Sequence, residues 1–226
     1  SHDPILKKCL VYASLEKCIL EKPSAAIIAN NTSNHIDISL KLAKEGIDLF
    51  IEKPLSNNIK NITQLSKIIK SKKLLTMMGC NLRFHPCIKK IKQLIDKKTI
   101  GEILSVQVES GSYLPDWHPN ENYQKSYAAR NDLGGGVILT CIHEIDYLYW
   151  FFGMPYSIIS QSGKYSDLKI DVEDLSLSII KFPIFLAELH LDYFQRPDIR
   201  KCKIIGTKGT IMWDSKARSF MHICRR

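Results

Sequence analysis

Long hydrophobic runs and paired cysteine motifs are absent from this sequence of 226 residues. No run of about 18 apolar residues occurs, which argues against a membrane-spanning helix. The N-terminus has neither the basic start and apolar core of a signal peptide nor an initiator Met, so we expect a piece of a longer, cytoplasmic protein. The seven cysteines never stand in C-x-x-C spacing, which indicates reduced thiols and no metal site.

Acidic residues are fewer than basic ones, 23 against 32, which gives a formal net charge of +9. The lysines are spread along the chain, and many fall on the polar faces of predicted helices, such as Lys67 and Lys70. We therefore favour a solvated, lysine-rich surface over a nucleic-acid groove, and we expect neither nucleic acid nor a membrane as a partner. An anionic small substrate such as a sugar nucleotide would also suit a basic cleft.

Short apolar segments alternate with helical patterns over the first third of the chain. Periodicity and capping residues predict helices at 14–22, 35–45 and 57–73, and strands at 25–29, 48–51 and 74–80. Strands and helices that alternate at this spacing are typical of a doubly wound α/β fold.

The pattern changes after about residue 80. It predicts a helix near 88–95, a strand at 103–112, a polar loop at 113–133, a helix at 134–153, and then strands at 156–162, 172–182, 185–194 and 201–213, the last turning at 206–209. We therefore predict an α/β Rossmann-type domain with an incomplete doubly wound parallel sheet at residues 1–80. An α+β domain with a mostly antiparallel open sheet is predicted to follow at residues 81–226.

Two polar segments follow predicted strands directly. Glu52, Lys53 and Pro54 end one strand abruptly, and ligands of doubly wound folds bind at such carboxyl ends. Lys53 is therefore a candidate acid/base group, although Glu and Lys are also ordinary at a surface strand end. The other segment, residues 30–35, offers hydrogen bonds to a ribose or phosphate near a helix N-terminus. Simple capping of that helix by Asn34 or Ser33 is the competing explanation.

A glycine run opens the strongest motif. Residues 134–136 are all glycine, which allows a tight turn and a close approach to a ligand. On the predicted helix that follows, Thr140, His143, Asp146 and Tyr147 fall on one face at spacings of three and four. We interpret His143 as a site residue because these polar groups surround it, against the alternative of a structural core histidine.

The long loop at 113–133 is rich in aromatic and polar side chains. Trp117, His118 and Tyr127 combine ring faces with hydrogen-bonding groups, which suits a sugar, and Arg130 is placed to bind an anionic group. The alternative is a loop held together by its own aromatic side chains, without a ligand.

Three of these motifs together resemble the Gfo/Idh/MocA family of glucose–fructose oxidoreductases and inositol dehydrogenases. They are the Glu-Lys-Pro strand end at 52–54, the stretch at 79–86, and the glycine run followed by residues 143–146. The resemblance implies a Rossmann domain that binds NAD or NADP, and a domain with an open sheet through which family members pair into homo-oligomers. It also implies hydride transfer between the nicotinamide and a hydroxyl-bearing carbon of a sugar, cyclitol or sugar nucleotide.

The resemblance also implies roles for individual residues. It makes Lys53 the catalytic lysine and His143 the second catalytic group, and the two must then converge on one cleft. It places a further set near the cofactor, namely Asn30, Thr32, His35, Glu52, Asn81 and Arg83. Thr140 and Asp146 join Trp117, His118, Tyr127 and Arg130 as expected substrate contacts.

Two departures from the family pattern affect the function. No G-x-G-x-x-G turn occurs, so the chain is expected to begin after the second strand of its Rossmann domain, and it also stops earlier than the family usually does. Leu139 and Thr140 stand where many relatives carry an Asp one turn before the histidine. The sequence therefore predicts a sugar-directed NAD(P)-dependent oxidoreductase, with a non-catalytic sugar-binding or regulatory fragment as the alternative.

Overall fold

The computed structural model describes residues 10–216 and the backbone of 222–224. The residues by which we argued against a signal peptide, and Cys9, lie outside the described residues. The chain divides into two compact units, one of residues up to 30 with 34–79, the other of residues 31–33 with those from 80 onward. We keep a domain boundary near residue 80 as a proposal.

A parallel three-stranded sheet forms the first unit. Its elements are α1 (Leu15–Leu20), β1 (Ala25–Ile28), α2 (His35–Lys44), β2 (Asp48–Ile51), α3 (Ile62–Lys72) and β3 (Thr76–Met78). The strand order is β1-β2-β3, and both pairings are parallel, so the predicted incomplete doubly wound sheet is confirmed. The core consists of buried aliphatic side chains from strands and helices, such as Leu49, Ile51, Leu40 and Leu65.

Helix α3 is five residues shorter at its start than the periodicity predicts. Residues 57–61 form turns instead, and Asn61 adopts a left-handed backbone conformation with φ of 63°. The side chain of Asn58 accepts a hydrogen bond from the backbone N–H of Lys60 (2.9 Å). Such local bonds compete with helix formation, and Ile59 is accordingly 90% exposed instead of packing on the core.

The second unit is built on a seven-stranded sheet. Its elements are α4 (Pro86–Asp96), β4 (Ile103–Gly111), α5 (Val137–Thr140), α6 (Ile142–Phe152), β5 (Ser157–Gly163), β6 (Leu175–Lys181), β7 (Leu186–Asp192), β8 (Ile199–Gly206), β9 (Gly209–Asp214) and β10 (His222–Cys224). The strand order is β10-β9-β8-β4-β7-β6-β5, and within the described part of this sheet β4 and β7 are the only strands that pair in parallel. The predicted α+β domain with a mostly antiparallel sheet is therefore confirmed.

The two faces of this sheet differ in polarity because side chains alternate along each strand. Val106 and Val108 of β4 are buried in a core that also contains residues of α4 and α6, such as Ile88 and Phe151. On the opposite face Ile159, Leu177, Ile179, Leu186 and Met212 are all exposed. This open face is the surface that the sequence analysis assigned to pairing between copies.

His190 gives this face a pH-dependent contribution to stability. Its Nε2 lies 2.9 Å from Oδ2 of the buried Asp192, and this hydrogen bond is the main reason why the pKa of His190 is raised above its ordinary value. The hydrogen bond between protonated His190 and Asp192 contributes its full stabilisation at pH values below the unfolded-state pKa of about 6.5. This stabilisation is lost as the pH rises through the higher pKa of the folded state.

We therefore expect His190→Asn to lower the free energy of unfolding more at pH 5.5 than at pH 8.5, as measured by urea denaturation. His118→Asn, at an exposed histidine, is the control and is expected to show a smaller pH-dependent difference. An effect of His190→Asn that is the same at both pH values would contradict the ion-pair explanation.

Candidate active site

The carboxyl ends of the three parallel strands carry the polar residues of the first unit. Asn30 follows β1, Glu52 and Lys53 follow β2, and Gly79 follows β3. The Glu52 carboxylate accepts a hydrogen bond from the backbone N–H of Lys53 (Oε2–N, 3.2 Å). A Cβ atom on Gly79 would lie 2.8 Å from Glu52 Oε2, so glycine at this position leaves room for the carboxylate where it lies. The two residues therefore fix each other at the strand ends, where doubly wound folds bind ligands.

His35 has a structural position that the sequence analysis did not predict. Its ring is 1% exposed, and Nδ1 lies 2.8 Å from the carbonyl oxygen of Pro54 while Nε2 lies 2.9 Å from that of Asn30. Both ring nitrogens are thus occupied by carbonyl groups of the segments that follow β1 and β2. His35 therefore ties these two segments together, and its predicted place near the cofactor stays a prediction.

Two further residues predicted to lie near the cofactor, Thr32 and Asn81, differ in their exposure to solvent. Thr32 is 3% exposed in a 3₁₀ turn that precedes α2, and Asn81 is exposed at the start of another 3₁₀ turn after β3. Asn34 occupies the N-cap position of α2, but within the described part of the chain its side chain makes no capping hydrogen bond. Simple capping by Asn34 is therefore not the reason for this polar segment.

Arg83 and Asp146 form a bidentate ion pair within the second unit. Nε of Arg83 lies 2.8 Å from Oδ2 of Asp146 and Nη2 lies 2.7 Å from Oδ1, while the guanidinium also lies 5.7 Å from the ring centre of Trp150. The hydrogen bonds to Asp146 raise the pKa of Arg83. One residue predicted to bind the cofactor and one predicted to bind the substrate are thus bound to each other, 63 positions apart in sequence.

The glycine run packs against its own chain. A Cβ on Gly135 would lie 2.3 Å from the carbonyl oxygen of Tyr127, and a Cβ on Gly136 would lie 2.4 Å from Oε1 of Glu173. Gly136 also has a φ of 106°, which side chains rarely tolerate. At Gly135 and Gly136 the loop at 127–128 and Glu173 occupy the space that a side chain would need, which accounts for these two glycines without a ligand.

The predicted helix over 134–153 is divided in two. Helix α5 ends at Thr140 and α6 begins at Ile142, with a break at Cys141, so Thr140 and His143 do not share one continuous helix. The exposed fractions of Thr140, His143 and Tyr147 are 6%, 7% and 0%. Burial raises the pKa of the Tyr147 hydroxyl well above its usual range. The predicted polar face is therefore largely a buried one.

Glu144 is a site residue that the sequence analysis missed. Its side chain is 0% exposed, and its Oε1 lies 2.8 Å from Nε of Arg200 on β8. The sequence feature that could have indicated its role is a carboxylate within a helix of mostly large apolar side chains. Such a carboxylate is buried, and a buried charge requires a partner. This ion pair fastens α6, and with it the adjacent His143, to the sheet.

Three of the four predicted loop residues line one cavity. The loop pocket has a volume of about 210 Å³ and is lined by Asn31, Leu114, Trp117, His118, Glu121, Tyr123, Ser126, Tyr127 and Ala128. Arg130 is not among them, because its exposed guanidinium is paired with Asp132 through Nη2–Oδ2 (2.6 Å) and Nε–Oδ1 (3.0 Å) contacts. The hydrogen bonds from Arg130 lower the pKa of Asp132. Arg130 is thus paired with a neighbouring carboxylate, and its binding of an anionic group stays a prediction.

We also searched the described residues for membrane-spanning helices, metal-binding groups and reactive thiols. No helix within residues 10–216 and 222–224 combines the length and apolar character needed to cross a membrane. The same residues contain no group of three or more His, Cys, Asp or Glu side chains that could hold a metal ion. Burial raises the pKa of the Cys202 thiol to about 12, so this residue behaves as a small core hydrophobe.

Comparison with known proteins finds dehydrogenases of sugars and cyclitols among the relatives of this chain. The chain is 25% identical to levoglucosan dehydrogenase of Pseudarthrobacter phenanthrenivorans, over 92% of this chain and 60% of the relative. It is 28% identical to the NAD(+) scyllo-inositol 2-dehydrogenase of Bacillus subtilis, over 85% of this chain and 56% of the relative. The chain thus spans about 60% of the length of the curated relatives it matches.

Solved structures share the fold. The WlbA dehydrogenase of Bordetella pertussis, solved in complex with NADH and UDP-GlcNAcA, superposes with a TM-score of 0.84 at 17% identity, over 95% of this chain and 62% of the other. A levoglucosan dehydrogenase in complex with NADH and levoglucosan superposes with a TM-score of 0.79 at 20% identity, over 89% and 57% of the two chains.

Family models match both parts of the chain. Residues 7–80 match the model described as oxidoreductase family, NAD-binding Rossmann fold, and residues 88–212 match the GFO/IDH/MocA C-terminal domain. The second match alone covers more than half of the sequence. The chain therefore belongs to the Gfo/Idh/MocA oxidoreductase family, as its motifs predicted, and its N-terminal part is of the NAD-binding Rossmann type.

Proposed function

We propose that the protein is an NAD-dependent oxidoreductase that transfers a hydride between the nicotinamide and a hydroxyl-bearing carbon of a sugar, cyclitol or sugar nucleotide. The observation that carries this proposal is the pair Glu52–Lys53 at a parallel strand end, within a segment that matches the NAD-binding Rossmann fold. Relatives named as levoglucosan and inositol dehydrogenases support the substrate class.

The residues at the strand ends fit a nicotinamide dinucleotide. Asn30 offers an amide and Glu52 a carboxylate oriented by Lys53 N–H and Gly79, and such groups suit ribose hydroxyls. We propose that Asn30, Thr32, Glu52, Lys53 and Asn81 hold the cofactor, and that His35 supports them by tying the segments after β1 and β2. A bound nicotinamide supplies the hydride acceptor or donor.

Lys53 and His143 have the proposed catalytic roles. When hydride leaves a carbinol carbon, negative charge develops on its oxygen, and an ammonium group stabilises this charge and exchanges the proton. We assign this role to the side chain of Lys53. His143 is proposed to orient the substrate hydroxyl or to act as a second proton carrier, with α6 held in place by the ion pairs Arg83–Asp146 and Glu144–Arg200.

The proposed substrate contacts lie on the loop at 113–133 and on α5. Trp117, His118 and Tyr127 line the loop pocket, and Thr140 stands where an Asp is common in the family. The threonine hydroxyl donates and accepts hydrogen bonds but carries no charge. A proton relay through this position would therefore lack a carboxylate. Asp146, which is bound to Arg83, is reassigned from substrate contact to positioning of α6.

The proposed assembly uses the open sheet face. Its exposed side chains Ile159, Leu177, Ile179, Leu186 and Met212 form an apolar area that a second copy would cover. We propose a cytoplasmic homo-oligomer formed through this face.

The test uses the protein expressed from its complete gene, mixed with NAD⁺ or NADP⁺ and a panel of sugars, cyclitols and sugar nucleotides. We expect the reduced cofactor, NADH from NAD⁺ or NADPH from NADP⁺, to form with at least one member of the panel, as followed by absorbance. If nicotinamide fluorescence shows no NADH binding and no member of the panel is oxidised, the proposal is wrong, and the alternative of a non-catalytic sugar-binding protein takes its place.

A further inference from the structure

We infer that the loop pocket binds a single neutral sugar or cyclitol ring, and that Glu121 discriminates against rings that carry a negative charge. This inference rests on the proposed function in so far as it names the substrate class for the loop at 113–133. The motifs leave a sugar, a cyclitol and a sugar nucleotide open as substrates, and Glu121 is not among the substrate contacts predicted from them.

The size of the loop pocket limits its occupant. At about 210 Å³ it is smaller than the sites of about 300–1000 Å³ that hold drug-sized ligands. A pyranose or cyclitol ring is several-fold smaller than a sugar nucleotide. The cavity therefore suits one ring and does not enclose a nucleotide together with its sugar.

Two aromatic walls of the loop pocket are held in place by the protein itself. Nε1 of Trp117 donates to Oγ of Ser112 (2.8 Å), and its ring meets that of Tyr193 edge-on at 5.5 Å between centroids. The hydroxyl of Tyr123 accepts a hydrogen bond from the backbone N–H of Lys169 (3.2 Å). Rings that are fixed before binding lose little entropy when a ligand packs against them.

The charge of the lining favours a neutral polyol. Glu121 contributes a carboxylate, and the lining contains no Lys or Arg among the described residues. Sugar hydroxyls donate readily to a carboxylate, whereas a uronate or a phosphate would be repelled by it. The nearest arginine in sequence, Arg130, is occupied by Asp132 and does not offset this charge.

Further polar groups in the lining match a ring bearing several hydroxyls. Asn31 provides an amide that donates and accepts, and His118 provides an imidazole.

The test compares D-glucose with D-glucuronate, two pyranoses that differ only in the charged group at one carbon, and uses myo-inositol as a second neutral probe. Dissociation constants are measured by calorimetry on the protein from its complete gene, in the absence of nicotinamide. We expect a neutral probe to bind at least about tenfold more tightly than glucuronate. Glu121→Gln is expected to weaken the binding of the neutral probe and to strengthen the binding of glucuronate. The ratio of their dissociation constants should therefore move towards one.

Glu45→Gln removes the same charge at an exposed position of the first unit and is expected to leave the ratio unchanged. Because Glu121 is itself exposed, its variant is expected to fold, and an unchanged thermal midpoint checks this. The inference is overturned if neither neutral probe binds, if glucuronate binds as well as glucose, or if Glu121→Gln leaves the ratio as it was. Failure of hydride transfer alone would refute the proposed function and leave these binding results intact.

Discussion

Replacing Lys53 with alanine is expected to lower kcat for hydride transfer by a factor on the order of 10²–10⁴, the usual contribution of a positioned acid/base group. The physical reason is that the variant lacks the ammonium that stabilises the developing alkoxide and exchanges its proton. The effect should fall mainly on kcat, since NADH is proposed to be held by several strand-end groups besides Lys53. Steady-state kinetics on the protein from its complete gene, with the substrate found in the panel, measures both parameters.

Lys60→Ala is the matched control for this experiment, because Lys60 is an exposed lysine of the same unit. It is expected to retain the kcat of the unaltered protein. Turnover by Lys53→Ala at the unaltered rate would show that the assignment of Lys53 as the proton-exchanging group is wrong.

Replacing Arg200 with methionine is expected to lower the free energy of unfolding by about 3–5 kcal/mol. The reason is the position of Glu144, which is 0% exposed and would lose the guanidinium 2.8 Å from its Oε1. A buried carboxylate without its counter-charge destabilises the folded state. The reverse substitution, at Glu144, costs less because the Arg200 side chain is one-third exposed and can be hydrated by solvent. Urea denaturation, with the m-value compared between variants, measures the difference.

A double-mutant cycle separates the ion pair from simple packing. Glu144→Gln is expected to cost less than Arg200→Met, and the double variant is expected to recover most of the loss because no buried charge is left without a partner. Lys203→Met, on the same strand β8, controls for the removal of a positive charge and is expected to change stability little. Equal and additive costs of the two single variants would refute this account.

The strands and several helix ends could be predicted from the sequence because their determinants are local. Strand β2 was predicted to its residue limits, and the hairpin turn at 206–209 joins β8 and β9 as expected. Ser14 caps α1 as predicted and accepts a hydrogen bond from Lys17 N–H. Alternating apolar residues and capping side chains act within a few positions of the chain, so they can be recognised from the sequence alone.

The candidate site was predictable only as a set of residues. The motifs identified the strand-end polar groups, the glycine run and His143, and they identified the family. The roles of His35, Arg83 and Asp146 could not be predicted in this way, because each depends on a partner distant in sequence. That Lys53 and His143 face one cleft stays a prediction.

By itself the sequence determined most of the strands and helices in their order, the family, and the side chains proposed for hydride transfer. Only the tertiary structure decided that α5 and α6 are separate helices, that the glycines fit against residues 127–128 and Glu173, and that Glu144 and Arg200 pair. Local hydrogen bonds and hydrophobic periodicity specify an element from neighbouring residues. Steric fit and the neutralisation of buried charge depend on residues that only the folded chain brings together.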